Sequence, residues 1–181
     1  MGIMFSKGST IYELDAENQI CHIDGDWDQF LQANTDEHQD YENLKKRQVL
    51  GNKLEAYVQD TTTRMLLHTV FAYVRQTQQT KAVPYRCDSA DQKRFMSMQI
   101  EPLADAGLRV SHTQLSSEPL DPPVEIHPAN DGRAETVWRC SICNRIESDQ
   151  VWLEPDEAAQ HWCRHSFHVS YTVCPVCMNT I

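Results

Sequence analysis

The chain has 181 residues, 40% of them hydrophobic, which is enough to bury one ordinary domain and a smaller second one and excludes a disordered chain. No apolar run approaches the roughly 20 residues that span a bilayer, so no membrane segment is expected. The formal net charge of −10, against one short basic run at Lys45, Lys46 and Arg47, speaks against a nucleic-acid partner, whose binding rests on neutralised phosphates.

That basic run reads as a solvated helix face. The opening MGIMFSKGST has neither a long apolar run nor a small-residue cleavage site, so no secretory signal is expected. MGIMFS fits the loose Met-Gly-x-x-x-Ser acylation pattern, but six residues meet it easily and no lipid anchor is assigned.

Residues 10–24, TIYELDAENQICHID, predict a β-hairpin. Ile11 and Leu14 mark its first strand, Ala16, Glu17 and Asn18 its turn, and Ile20 and Ile23 its second strand. Asp26 is a candidate N-cap for a helix carrying Trp27, Phe30 and Leu31. Residues 34–48 are polar and charged, a loop or an exposed helix, and Leu54, Tyr57 and Val58 mark a short helix. Asp60 and Thr61 to Thr63 cap the clearest helix, over 62–78, with Met65, Leu66, Thr69, Val70, Tyr73 and Val74 on one face.

Residues 83–88 predict a strand, and Ser89 to Gln92 a turn. Phe95, Met98 and Ile100 lie in a second strand ending at Pro102, Asp105 to Gly107 turn the chain, and 108–113 form the last strand. Pro119, Pro122, Pro123, Pro128 and Gly132 make 116–136 read as a stiff, extended linker. A separate module then begins near Val137. The expected fold is α+β: the hairpin joins three later strands in one antiparallel sheet, with helices over one face.

Seven cysteines, an odd number without an export signal, argue against a disulfide framework and for a reducing cytoplasm. Cys140-Ser-Ile-Cys143 and Cys174-Pro-Val-Cys177 are two knuckles, each able to bring two thiolates to one metal and together to complete a tetrahedron. Thirty residues separate them, more than the roughly 15–20 of a compact ribbon, which predicts an inserted helix starting at Pro155, Asp156 and Glu157 and continuing through Ala158, Ala159 and Trp162. The expected ligand is one structural Zn²⁺ in a zinc-ribbon-like module over 137–181. A redox dithiol pair, a rubredoxin-like iron site and unligated thiols are the alternatives. Four thiolates leave no open position, so such a zinc would not act as a Lewis acid on a substrate.

His161, His165 and His168 stand at i, i+4 and i+7 around Cys163. On an extended helix they would share one face, as a second metal site or as a replacement for one cysteine ligand. The simpler reading is the polar face of an exposed helix, which three histidines would make pH-sensitive. Cys87 lies between Arg86 and Asp88; an adjacent guanidinium could activate its thiol for redox sensing, while the simpler reading is a small residue buried in the sheet. Strand alternation puts Arg86 and Asp88 on one face, to pair with each other or with Arg94. Cys21 reads as a buried strand residue in the same way.

Residues 10–115 resemble a PAS sensor domain. IYELDAENQICHIDGDWDQF is similar to the PAS opening, a hairpin followed by a helix with an aromatic. VPYRCDSADQKRFMSMQIEPL resembles a subgroup of bacterial PAS-like proteins with an Arg-Cys-Asp-Ser strand and an Arg-x-Met-x-Met strand, here Arg86 to Ser89, Arg94, Met96 and Met98. Such proteins often carry a cysteine-rich tail. The resemblance implies a five-stranded antiparallel sheet with a helical flank and fixes no ligand.

Some PAS domains hold haem through a histidine on the long helix, which draws attention to His68, alongside His22 and His112. A lone helical histidine is more often a surface or packing residue, and neither haem nor flavin is assigned; the Asn-Cys-Arg-Phe motif of the light-sensing subgroup is absent. Met65, Phe71, Phe95, Met96 and Met98 read as core, compatible with a small apolar cavity for a small-molecule ligand. No nucleophile elbow, phosphate loop, His-Glu-x-x-His or kinase signature occurs, so no enzyme activity is expected. The chain is thus expected to be a cytoplasmic PAS-like sensory or protein-interaction module with a structural zinc tail, signalling through a protein partner or as a homodimer. The alternative is a redox or metal sensor acting through the cysteine site, with a small enzyme the least favoured reading.

Overall fold

The computed structural model describes residues 10–24, 27, 46–58, 60–129 and 136–180. The acylation pattern, the expected N-cap Asp26, Phe30, Leu31, Lys45 and Gly132 lie outside the described residues.

The hairpin forms with a register adjustment that alternation alone does not predict. Strand β1, Thr10–Leu14, buries Thr10, Tyr12 and Leu14, while Ile11 is only half-buried. Strand β2, Ile20–Asp24, buries both Ile20 and Ile23, which an odd spacing would put on opposite faces of a regular strand. A register shift between Glu13 and Leu14 resolves the conflict, pairing Tyr12 with Ile23 and Leu14 with Ile20. Cys21 is therefore exposed, not buried as expected, and its thiol donates to the Glu13 carbonyl at 3.3 Å. In the turn, the Asp15 carboxylate accepts from the backbone N–H of Glu17 and Gln19, and Asn18 takes a left-handed φ of 62°.

Helix α1, Lys46–Val49, and a 3-10 turn, Leu54–Tyr57, precede the long helix α2, Thr61–Thr77. Asp60 caps α2, its carboxylate accepting from the Thr63 N–H at 2.7 Å and the Thr63 hydroxyl at 2.6 Å. Val70, Phe71 and Val74 are buried, while Met65 and Tyr73 are exposed. Near the C-terminal end, the Arg75 guanidinium donates to the Asp15 carbonyl and the Asn18 side chain at 2.8 Å each, and to the Ala106 carbonyl at 2.8 Å. One cation thus ties two turns to the helix.

Strands β3, Lys81–Arg86, β4, Gln92–Pro102, and β5, Leu108–Pro119, complete a five-stranded antiparallel sheet in the order β2-β1-β5-β4-β3. β1 pairs with β5 from Thr10↔His112 to Leu14↔Leu108. Arg94, Met96, Met98 and Ile100 alternate inward along β4, while Phe95 is only half-buried.

A second sheet follows. It consists of β6, Glu125–Pro128, β7, Thr136–Cys140, β8, Ile146–Ser148, β9, Val151–Leu153, and β10, Ser166–Thr172, in the order β6-β10-β7-β8-β9. β10 runs parallel to both β6 and β7, while β7, β8 and β9 are antiparallel in turn. Helix α3, Pro155–Trp162, lies between β9 and β10, and α4, Pro175–Thr180, ends the described chain. α3 starts at the expected proline, with Glu154 and Glu157 forming a reciprocal capping box. Its Ala158 and Ala159 share a core with Leu120, Val124, Ile146, Phe167 and Val169.

Two expectations change here. Within the presumed linker 116–136, Leu120 and Val124 are buried and 125–128 form β6, so its described part belongs to a core. The chain divides into two compact units: one is Met1–Val58, Leu67–Val83 and Ser97–Gln114, and the other is Gln59–Leu66, Pro84–Met96 and Leu115–Ile181. A boundary at 116–136 would separate pieces of the second unit, which carries a five-stranded mixed sheet where a small ribbon was expected.

In the first unit, His112 stacks on Tyr12 with ring centres 5.6 Å apart, its Nε2 3.4 Å from the Tyr12 hydroxyl. Burial pushes its imidazole down to about 4. An unfolded histidine titrates near 6.5, so below that pH the unfolded chain binds the proton that the folded chain refuses. The stability His112 contributes is complete above pH ~6.5 and is lost as pH falls toward ~4. Urea midpoints measured across that window should fall with acid, and His112→Gln should flatten the slope. An unchanged slope in the variant would contradict the assignment.

Candidate metal centre

The parallel pairing of β7 and β10 brings the two knuckles together. Thr172 is the register partner of Cys140, so the two neighbouring strands end side by side. Cys140 closes β7, and the chain turns through Ser141 to Asn144, whose φ is 62°. Backbone bonds from Cys140 N–H to the Arg145 carbonyl (2.8 Å) and from Asn144 N–H to the Cys140 carbonyl (2.9 Å) close the turn. Cys174 follows β10, and Cys177 stands in the first turn of α4. The Ser141 N–H donates to the Thr172 carbonyl at 2.8 Å, joining the knuckles directly.

The Sγ atoms of Cys140, Cys143, Cys174 and Cys177 all lie within 4.8 Å of one another. A zinc–sulfur bond of about 2.3 Å makes each edge of a tetrahedral four-sulfur site about 3.8 Å. The Cys143 and Cys174 sulfurs are 3.8 Å apart, and the remaining pairs need only side-chain adjustment to meet that edge. Backbone N–H groups point at the sulfurs: Cys143 and Cys174 donate to Cys140 Sγ at 3.5 and 3.3 Å, and Cys177 to Cys174 Sγ at 3.5 Å. Such donors stabilise thiolate over thiol. The donor set and its spacing fit a tetrahedral metal ion.

Cys140 and Cys174 are fully buried, packed with Leu66, Ile142 and Val173, and Tyr85 and Trp152 lie alongside. A hydrogen bond from the Cys143 thiol holds Cys140 down to about 4, against the opposing effect of burial. The same bond, with burial, drives Cys143 far above the ordinary thiol range. Burial and the Cys140 charge push Cys177 up to about 12. Cys143 and Cys177 resist ionisation, and a cation among the sulfurs displaces the protons they keep.

A buried ion network supports the first knuckle. The Arg86 N–H donates to the Ile142 carbonyl, inside the knuckle, at 2.7 Å. The Arg86 guanidinium bonds both Asp88 carboxylate oxygens, at 3.1 and 2.5 Å, and also Glu154. Glu154 in turn accepts from Arg145, two residues past Cys143, at 2.9 Å. Asp88, only 2% exposed, also faces Arg139 at 3.9 Å and accepts the Arg94 N–H at 3.1 Å. Burial alone would raise the Glu154 carboxyl, but the bonds from Arg86 and Arg145 outweigh it and hold the group below the usual range. The knuckle residue Ser141 is held by the cap of α2, its Oγ 2.5 Å from the Thr63 hydroxyl and 3.2 Å from Asp60.

The other candidate residues lie apart from this cluster. Cys87 sits just past the end of β3, and burial, the dominant influence, raises its thiol despite Arg94; it is not an activated thiolate. α3 ends at Trp162, and Cys163 takes a left-handed φ of 51°, so the helix never reaches His165 or His168. The shared histidine face therefore does not form. His161 stands against Trp162, and His168 lies in β10. Cys163 is exposed, its thiol 3.7 Å from the Gln160 carbonyl. His68 pairs with Glu55 at 3.0 Å. Arg139, Arg145 and Glu154 were missed by sequence reasoning, since pairing across 68 residues, as between Arg86 and Glu154, leaves no local pattern.

Cys140→Ser should release bound metal to a chelator far faster than Cys163→Ser, because losing one of four ligands forfeits much of the ~10–16 kcal/mol such sites supply to folding. Metal release followed with a chromogenic chelator checks this; equal release from both variants would make Cys163 a ligand. No protein-family model matches the chain, and no curated protein matches it.

Proposed function

We propose that the chain is a cytoplasmic PAS-like sensory or protein-interaction module whose second unit is held together by one structural Zn²⁺. The observation that carries the metal half is the four-thiol cluster, half of it buried, with sulfurs within 4.8 Å of one another, one pair at 3.8 Å, and three N–H···S donors. Four soft thiolates in a tetrahedral arrangement select zinc or iron, and zinc is the usual ion of closed structural sites. The sensory half rests on the sequence resemblance. It is supported by the five-stranded antiparallel sheet, since the resemblance implies a sheet of that kind with a helical flank. No helix among the described residues is long and apolar enough to cross a membrane. A closed site offers a substrate no coordination position, so the zinc is assigned no catalytic role and the signal passes through a partner protein or a second copy.

A second reading, a redox sensor, is favoured by one distance: Cys143 and Cys174 are close enough, at 3.8 Å between sulfurs, to pair once the metal leaves. Mild peroxide separates the two readings. Under the structural reading, zinc and self-association or partner capture persist at peroxide doses that oxidise exposed Cys21 and Cys163. Under the sensor reading, zinc release and a Cys143–Cys174 disulfide appear first, by mass spectrometry. Cross-linking of the full chain in extract of its own cells should capture a homodimer or one specific protein. A chain that stays monomeric and uncaptured would contradict the interaction role, and a haem or flavin absorption band would contradict the cofactor assignment.

A further inference from the structure

We propose that His127 and His168 form a second, exchangeable site for a divalent transition-metal ion on the exposed face of the second sheet. The two residues are direct register partners on the parallel neighbours β6 and β10. Strand alternation sends both side chains to the face opposite the buried Phe167 and Val169. Both residues are exposed, and their ring centres are 5.4 Å apart with planes inclined by 35°.

One shared ion is within reach of that separation. A metal bound to an imidazole nitrogen at about 2.0–2.1 Å lies about 3.2 Å from the ring centre, so two rings at about 90° to a tetrahedral angle about one ion have centres about 4.5–5.2 Å apart, a small side-chain movement from the 5.4 Å seen. The Glu125 carboxylate, 3.7 Å from Nε2 of His127, places a negative charge beside the pair. Paired strands hold both imidazoles on rigid backbone, so little ordering is left for the ion to impose. Imidazole nitrogens with open positions for water suit Zn²⁺, Ni²⁺ and Cu²⁺. The site differs from the thiolate cluster in donor type and exposure, so its ion exchanges with solvent, and it stands independently of the sensory reading. His161 and His165 are not part of it: the first lies on α3 against Trp162, and the second precedes β10.

The test is a Ni²⁺ titration of the full chain with its four-cysteine centre loaded with zinc, followed by calorimetry and by paramagnetic broadening of histidine ring signals. One further Ni²⁺ should bind, with broadening centred on His127 and His168. His127→Gln or His168→Gln should each weaken binding by about tenfold or more, and His161→Gln should leave it unchanged. Zinc content is measured throughout, so that displacement is told apart from addition. Broadening centred elsewhere, nickel uptake matched by zinc release, wild-type affinity in the His127 or His168 variant, or no uptake at all would each overturn the proposal.

Discussion

Four thiols within 4.8 Å of one another, two of them fully buried, resist joint ionisation, and a cation among them relieves that cost. Like charges that close disfavour joint ionisation, and burial penalises each charge further. The surrounding structure is arranged around that constraint. β7 and β10 run parallel so that both knuckles leave from one end of the sheet. Backbone N–H groups turn toward sulfur, and Leu66, Ile142 and Val173 close the apolar side.

The Arg86–Asp88–Glu154 network belongs to the same constraint. Burying an arginine is costly unless its donors are met, and here they meet two carboxylates with matching geometry. Glu154 also caps α3 and receives Arg145 from the flank of the first knuckle, so one carboxylate aligns a helix, a buried cation and the metal turn. The Arg-Cys-Asp-Ser stretch, read from sequence as a strand of the sensor domain, supplies two of these charges to the second unit. Cys87, between those two charges, contributes a small, half-buried thiol with no activation.

Local signals were legible and long-range ones were not. The hairpin, the long helix capped at Asp60, the Pro155 start of α3 and the paired CxxC knuckles each write their pattern within a few residues. The helix reads through Trp162 in the sequence, where α3 ends; the extension that would align the three histidines fails because the left-handed C-cap is Cys163 and not the glycine that usually announces one. The described part of the expected linker, 116–129, was misread because proline density argues against a central strand. β6 escapes that rule by being a short strand at the sheet edge. The pairing of His127 with His168 needs the parallel register of β6 and β10, which no local periodicity encodes.

The central claim is that one metal ion is held by four sulfurs from Cys140, Cys143, Cys174 and Cys177. X-ray absorption at the metal edge of the purified full chain, washed free of exchangeable metal with a weak chelator, measures this directly. The expected result is about one zinc per chain with four sulfur neighbours at about 2.3 Å and no nitrogen neighbour at that site. A first shell of mixed sulfur and nitrogen, or a folded second unit with no metal bound, would contradict it.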